Sequence, residues 1–327
     1  RLVIPELGID RETSWGHLAP MFHLADAWAV WAVTAAGGTH CFLSEFSAAG
    51  ALSLFESGLC RMTNMVPAMY HRILREEGLE SRDFSRLKLL MSGGAPIPPE
   101  TVLKVLSSFR CEFVQTYGLT ETSPFLTLSR PEESMSRWPL PEQIRIRCTT
   151  GRPLRGVELK VADANGEEVP RDGQSVGEIL ARGATVSPGY WNRPEETASA
   201  FENGWLKTGD LAVVGPEGYL TIVDRKKDLI NTGGEKVFSL EVENALATHP
   251  EVVESAVVGM PDPDLGEAVT AIVVLRQPSR ATPDDLLAHC ARHLTYFKVP
   301  KQIRIVAELP RTASGKVLKR GLRESPS

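Results

Sequence analysis

The sequence has no apolar run near the roughly 18 residues that a membrane helix needs. Its softest stretch, residues 25–38, is interrupted by Asp26 and is too short. It has no excess of positive charge. Lys and Arg number 36 against 41 Asp and Glu, for a net charge of −5. That balance lacks the basic stripe of a nucleic-acid binder and still allows a local anion site. Cysteine is scarce and scattered: Cys41, Cys60, Cys111, Cys148 and Cys290 form no CxxC pair. A zinc site or a disulfide framework is therefore not expected. Isolated buried thiols in a reducing compartment are, and with no secretory pattern at the start this predicts a cytoplasmic protein. Internal repeats and low-complexity tracts are absent. The first residue is Arg1 rather than Met, which suggests that the sequence begins inside a longer protein.

What is present fits an ordered chain. Of 327 residues, 42% are apolar and 24% charged, which excludes disorder as the main state. At roughly 150 residues per domain the length predicts two domains. Helical spacing runs over residues 51–59 and 67–79. The apolar run 87–91 ends in Ser92-Gly93-Gly94-Ala95-Pro96, a helix is expected from Pro99 to about Phe109, and residues 111–116 read as a second strand. Strand, Gly-rich loop, helix and strand make a βαβ unit and imply a parallel sheet. From 152 to 223 short alternating segments (157–161, 176–181, 219–223) are separated by turn clusters, the pattern of a small, mostly antiparallel sheet or barrel. A third block has helices at 240–247 and 283–294, strands at 252–258, 268–275 and 302–306, and a basic terminal helix at 316–323. The fold class expected is thus α/β: a parallel-sheet core with a small barrel-like β subdomain, then a C-terminal α+β domain.

Several short motifs carry possible chemistry. Arg311-Thr312-Ala313-Ser314-Gly315-Lys316 ends in Gly-Lys but fails the P-loop pattern, because Pro310 and Val317 stand where Gly and Ser or Thr are needed. A Gly-capped turn before a basic helix accounts for it equally well. Gln115-Thr116-Tyr117-Gly118-Leu119-Thr120-Glu121 follows the second parallel strand, where open α/β sheets bind ligands. Its aromatic, glycine, hydroxyl and carboxylate can stack a base, approach a phosphate and hold a hard cation, or form an ordinary turn. Thr208-Gly209-Asp210 offers a carboxylate for a vicinal diol, or a plain Gly-Asp turn. Asp224-Arg225-Lys226-Lys227-Asp228 looks like a solvated linker, and Gly233-Gly234-Glu235-Lys236 allows close ligand approach.

In order and spacing these motifs together resemble the acyl-adenylate-forming superfamily, in its acyl-CoA synthetase branch. The resemblance runs from about Ala19 to Arg320. It implies adenylation of a carboxylic acid by ATP with Mg²⁺, then transfer to coenzyme A. It implies that Tyr117 stacks on adenine, that Gly93, Gly94, Ala95, Gln115, Thr116 and Gly118 line the nucleotide site, that Thr120 bonds phosphate and that Glu121 holds Mg²⁺. Asp210 and Arg225 would grip the ribose. Lys316 would bridge the attacking carboxylate and the phosphoryl group. Lys227 would be the hinge of a swivelling domain, unless it is simply an exposed lysine. Gly233 and Gly234 would form part of the coenzyme A tunnel. His23, in Ala19-Pro20-Met21-Phe22-His23, would lie near the reacting carboxylate, although a satisfied core histidine explains it as well.

The domains implied are 1–226 (an α/β core to 150 and a β subdomain beyond) and 227–327. Residues beyond Lys227 are expected to fold alone, with the first block weaker. Three departures stand out: Asp26 replaces the usual Gly after His23, Ser239 replaces the usual Pro, and no triphosphate loop lies among the 22 residues before His23. The expected function is an acyl-CoA ligase without its N-terminal part, acting on fatty or other hydrophobic acids and next on aryl acids. The alternatives are an adenylation module that loads a carrier protein, and an inactive nucleotide- or partner-binding fragment.

Overall fold

The computed structural model describes residues 1–312 and 317–324. It comprises two compact units, one of Arg1–Thr208 with Ala212–Ile222, the other of Gly209–Leu211 with the chain from Val223 onward.

The first unit is built on five parallel strands, β1 (Ser14–His17), β2 (Thr39–Phe42), β3 (Met62–Met65), β4 (Leu89–Ser92) and β5 (Glu112–Tyr117), in the order β2-β1-β3-β4-β5. Two short antiparallel strands, β6 (Thr127–Leu128) and β7 (Arg152–Pro153), extend the sheet. All four residues of β3 and of β4 are buried, as strands covered on both faces require. Helices α1 (Val3–Leu7) and α2 (Leu24–Ala36) contribute to a core around Trp15, Trp28, Val33 and Met91. Helices α3 (Ala48–Ser57), α4 (Pro67–Ile73), α5 (Pro99–Phe109) and α6 (Leu140–Arg147) contribute to another around Leu52, Phe55, Tyr70 and Phe113.

A second sheet holds β8 (Val157–Ala162), β9 (Gly177–Gly183), β10 (Phe201–Glu202), β11 (Trp205–Val214) and β12 (Leu220–Arg225), in the order β10-β11-β9-β8 with β12 beside β11. Helix α7 (Pro194–Ala200) precedes β10.

The second unit carries β13 (Ile230–Thr232), β14 (Glu235–Val237), β15 (Val252–Asp262), β16 (Gly266–Leu275) and β17 (Gln302–Val306). Their order is β14-β13-β16-β15, with β17 parallel to β16. Helices α8 (Ser239–Ala247) and α9 (Pro283–His293) pack on it around Val242, Leu246, Leu286 and Cys290. Helix α9 starts with Pro283 behind a Thr282/Asp285 capping box, a strong local start signal. Helix α10 (Lys319–Glu324) adds Leu322 to a smaller cluster with Val258 and Leu309.

The architecture agrees with the α/β reading, and three local expectations change. Residues 25–38, notable in the sequence for softness alone, form most of helix α2, which buries Trp28, Ala29, Ala32 and Val33 and stops at Gly37. Helix α4 ends at Ile73 instead of reaching 79, and Gly78, left-handed, precedes a separate 3-10 turn, Leu79–Ser81. The terminal helix begins at Lys319 rather than 316, since Val317 forms a bridge to Arg311.

Candidate functional site

The carboxyl ends of β3, β4 and β5 bring together Asn64, Ser92, Gly93, Gln115 and Thr116. Asn64 donates from Nδ2 to the Ala25 carbonyl at 2.8 Å, and Thr116 donates from Oγ1 to the Ser92 carbonyl at 3.3 Å. Three buried polar atoms at these strand ends, Asn64 Oδ1, Ser92 Oγ and Gln115 Oε1, have no hydrogen-bond partner; by strand alternation Asn64 shares a face with Gly93 and Thr116, whereas Ser92 and Gln115 lie on the opposite face. Buried polar groups are nearly always paired, so the unpartnered Asn64 Oδ1 beside Gly93 points to a ligand. Gly93 keeps the space open: a Cβ there would lie 2.7 Å from Thr116 Oγ1 and 4.0 Å from Asn64 Oδ1. Acceptors of this kind suit the amino group of an adenine or a hydroxyl of an acid substrate. Gly94 follows in a left-handed conformation, then Ala95, which is exposed.

His23 caps the start of helix α2, where its carbonyl accepts from the Ala27 N–H at 3.0 Å. Its Nε2 is buried without a partner, and its ring packs on Phe22 with centroids 4.4 Å apart. The satisfied core histidine is therefore not what the structure shows.

The loop after β5 is held by close backbone approach. A Cβ on Gly118 would collide with the Pro124 carbonyl oxygen, so only glycine fits. The Leu119 N–H donates to Thr122 Oγ1 at 2.8 Å, and Thr122 Oγ1 contacts the Pro124 carbonyl at 3.0 Å. Tyr117 is half-buried and Thr120 is exposed. Glu121 is fixed from two sides: the Ser187 N–H donates to its carbonyl at 2.7 Å, and Tyr190 Oη donates to its Oε1 at 2.8 Å. That hydrogen bond pushes the Tyr190 phenol up. Among the described residues no group of three or more His, Cys, Asp or Glu could hold a metal by itself. One positioned carboxylate fits Mg²⁺ shared with phosphate oxygens, which is how that ion is usually bound.

In the second unit Asp210 is buried and pairs with Arg225, Nε to Oδ1, at 3.2 Å. The Gly-Asp turn is not observed: β11 runs through both residues, with Gly209 in a left-handed conformation. A planar guanidinium beside a buried carboxylate can present acceptor and donors together to a diol. The charge run is only half solvated. Arg225, Lys226 and Lys227 are exposed, whereas Asp224 and Asp228 are buried. Asp224 accepts from Ser239, and Asp228 accepts from Arg323 at 3.2 Å. Lys227 lies in a 3-10 turn, Lys226–Asp228. Gly233 and Gly234, both left-handed, make the turn between β13 and β14. Lys316 lies outside the described residues.

Sequence reasoning missed Asn64 and Tyr190. Asn64 had a weak signal, a lone amide in the buried run Met62–Met65. Tyr190 is 69 residues from Glu121, and no local pattern connects them.

The chain is similar to known proteins over most of its length. The family described as AMP-binding enzyme matches residues 3–191, and the AMP-binding enzyme C-terminal domain matches 241–316. The chain is 38% identical over 307 residues to 4-hydroxybutyrate–CoA ligase 2 of Metallosphaera sedula, covering 93% of this chain and 55% of that protein. It is 39% identical over 302 residues to feruloyl-CoA synthase of an Amycolatopsis species, covering 92% and 59%. The solved structure of ATP-bound MatB from Rhodopseudomonas palustris superposes with a TM-score of 0.88 at 32% identity, covering 99% of this chain and 62% of that one. The chain thus spans a little over half the length of the curated relatives it matches. With the first match spanning more than half of the chain and the second most of the α+β unit, the chain belongs to the AMP-binding enzyme family.

Proposed function

We propose that this chain carries the acyl, adenine and ribose sites and the swivelling C-terminal domain of an ATP-dependent acyl-CoA ligase. The observation that supports this most directly is the unpartnered buried acceptor Asn64 Oδ1 beside the opening that Gly93 keeps clear. Tyr117 would stack on adenine, with Gly93, Gly94, Ala95, Gln115, Thr116 and Gly118 around it. Thr120 would bond phosphate, and Glu121, oriented by Tyr190, would bind Mg²⁺. The Asp210–Arg225 pair would hold the ribose hydroxyls. Lys316 would stabilise charge developing between carboxylate and phosphoryl group, a task suited to a compact ammonium. Lys227 would be the pivot between adenylating and thioester-forming orientations, with Gly233 and Gly234 serving coenzyme A.

The acid substrate is proposed as fatty or otherwise hydrophobic, with aryl acids next. The relatives' names add a short hydroxy acid and a feruloyl group to the set worth testing. Domain boundaries at residues 226 and 227 and a cytoplasmic setting belong to the same proposal. Among the described residues no helix is long and apolar enough to cross a membrane.

The test is ATP–pyrophosphate exchange on the purified chain with a panel of fatty, aryl and hydroxy acids, run beside binding of an acyl-adenylate analogue. Exchange that disappears in Lys316→Ala, with analogue binding retained, is the expected result. Analogue binding without exchange would reduce the reading to a nucleotide-binding fragment. Neither exchange nor binding would overturn it.

A further inference from the structure

Cys41 and Cys60, far apart in the sequence pattern, meet beside β1. Gly16 of β1 is paired with Cys41 of β2. A Cβ on Gly16 would collide with Cys60 Sγ, so the glycine lets that sulfur sit against the strand which Cys41 flanks. Cys41 Sγ lies 2.9 Å from the carbonyl oxygen of Leu59, the residue before Cys60, and 3.1 Å from that of Trp15. Cys41 Sγ donates to both of these carbonyls, and Cys60 Sγ donates to the Met62 carbonyl at 3.6 Å. Cys60 is buried and Cys41 is partly exposed, and both are free thiols.

Electrostatics separate Cys41 from the rest. Its thiol is pulled down to about 7, chiefly by the neighbouring Cys60 thiol; burial opposes this, and the Ser14 hydroxyl and His17 add to it. Burial pushes Cys111 up to about 12 and Cys148 and Cys290 to about 11. Cys60 is also raised, first by the neighbouring Cys41 thiol. The thiolate is the reactive form, so near neutral pH Cys41 supplies one while the other four stay protonated.

We propose that Cys41 is a peroxide-reactive thiol with Cys60 as its resolving partner, the two closing to a reversible disulfide beside β1. The Cys41 thiolate attacks one oxygen of hydrogen peroxide, the O–O bond breaks, and the departing hydroxide takes up the proton released from the thiol and leaves as water. Cys41 becomes a sulfenic acid. The Cys60 sulfur then attacks the sulfenic sulfur, the S–O bond breaks, and the leaving hydroxide takes the Cys60 proton as a second water. Two thiols lose two electrons and one peroxide gains them. The site uses none of the residues assigned to nucleotide or acyl binding and does not depend on the ligase reading.

Oxidation of the whole chain with hydrogen peroxide, followed by maleimide blocking and digestion with a Glu-specific protease, tests it. Cleavage after Glu12, Glu45, Glu56 and Glu76 places Cys41 in peptide 13–45 and Cys60 in peptide 57–76. The expected product is these two peptides joined, separating on reduction with dithiothreitol. Cys41→Ser should abolish the link and slow peroxide consumption roughly tenfold, as expected when the low-pKa thiolate is lost. Cys60→Ser should drive Cys41 on to the sulfinic acid. Unlinked peptides from the oxidised wild-type chain, or maleimide labelling of Cys41 no faster than of Cys111, would overturn the proposal even if the Cys60 variant fails to fold.

Discussion

Asp224 and Ser239 are joined twice. The Ser239 backbone N–H donates to Asp224 Oδ2, and the Ser239 hydroxyl donates to Asp224 Oδ1 at 3.0 Å. Lys319 donates in turn to the same hydroxyl at 2.7 Å. Helix α10 is thereby tied through one serine to the charged segment that holds Arg225 and Lys227.

A proline at 239, the residue that the family resemblance leads one to expect, would lack both donors. Ser239 is the first helical residue of α8, where proline itself is tolerated. The cost of Ser239→Pro should therefore come from the Asp224 carboxylate, left with the Arg225 N–H at 2.7 Å. Losing two hydrogen bonds to a buried charged group predicts about 3 kcal/mol of destabilisation. Ser239→Ala keeps the N–H and should lose about half as much. Urea unfolding followed by a probe in the C-terminal unit measures both, and equal stability of the proline variant would refute the coupling.

The motifs were legible because each is local. Gly93-Gly94, the Gly118–Glu121 segment after β5 and Gly233-Gly234 keep their backbone geometry within a few residues, and the structure places all three in loops or turns. What decides whether a charge is buried is not local. Asp228 is satisfied by Arg323, 95 residues away, and Lys319 reaches Ser239 across 80. A run of five charges therefore read as solvated although two of its members face inward. Helix α2 was missed for another reason: its Ala, Trp and Val residues surround the axis, so no 3.6-residue period stands out.

Glu243 should make the C-terminal unit less stable as pH rises. Its carboxyl accepts from the Val257 N–H at 2.8 Å and pairs with Lys319 at 2.7 Å, yet burial, the largest effect, pushes it above the usual carboxylate range. Burial raises Asp224 in the same direction. An acid raised in the folded state binds more protons there than in the unfolded chain. Its contribution is present in full below the unfolded value and is lost as pH climbs through the folded one. Unfolding free energies measured from pH 4 to 8 should show this loss in the wild-type chain and a flatter profile in Glu243→Gln. Parallel profiles would show that Glu243 does not titrate in this way.

Tyr190 should influence the proposed Mg²⁺ site through Glu121. Its phenol donates to Glu121 Oε1 at 2.8 Å and is held in its protonated form by that bond. Tyr190→Phe removes one neutral-to-charged hydrogen bond that orients the carboxylate, worth ~1 kcal/mol net for a partly exposed pair. The Mg²⁺ concentration for half-maximal pyrophosphate exchange should rise roughly fivefold, as that energy implies, with little change in stability. An unchanged Mg²⁺ dependence would separate Tyr190 from the metal site.

Asp26, the second departure from the family pattern, is matched by its neighbours. One oxygen accepts from the Trp15 indole N–H at 3.2 Å and the other meets His17 Nδ1 at 2.8 Å, all three residues buried. His17 continues through Nε2 to His40 at 2.8 Å, and His40 to Thr34 at 3.0 Å. A glycine at 26 would leave Trp15 and His17 without an acceptor, so the three residues form one set. Asp26→Ala should strand both donors and cost about 3 kcal/mol, at 1–3 kcal/mol for each unsatisfied buried group. Asp26→Asn retains an oxygen for one donor and should cost roughly half of that. Because Asp26 sits in the first turn of α2, three residues after His23, the alanine variant should also weaken acyl-adenylate analogue binding, whereas a purely structural aspartate would change the melting temperature alone. Denaturation and analogue titration on the same two variants distinguish these outcomes.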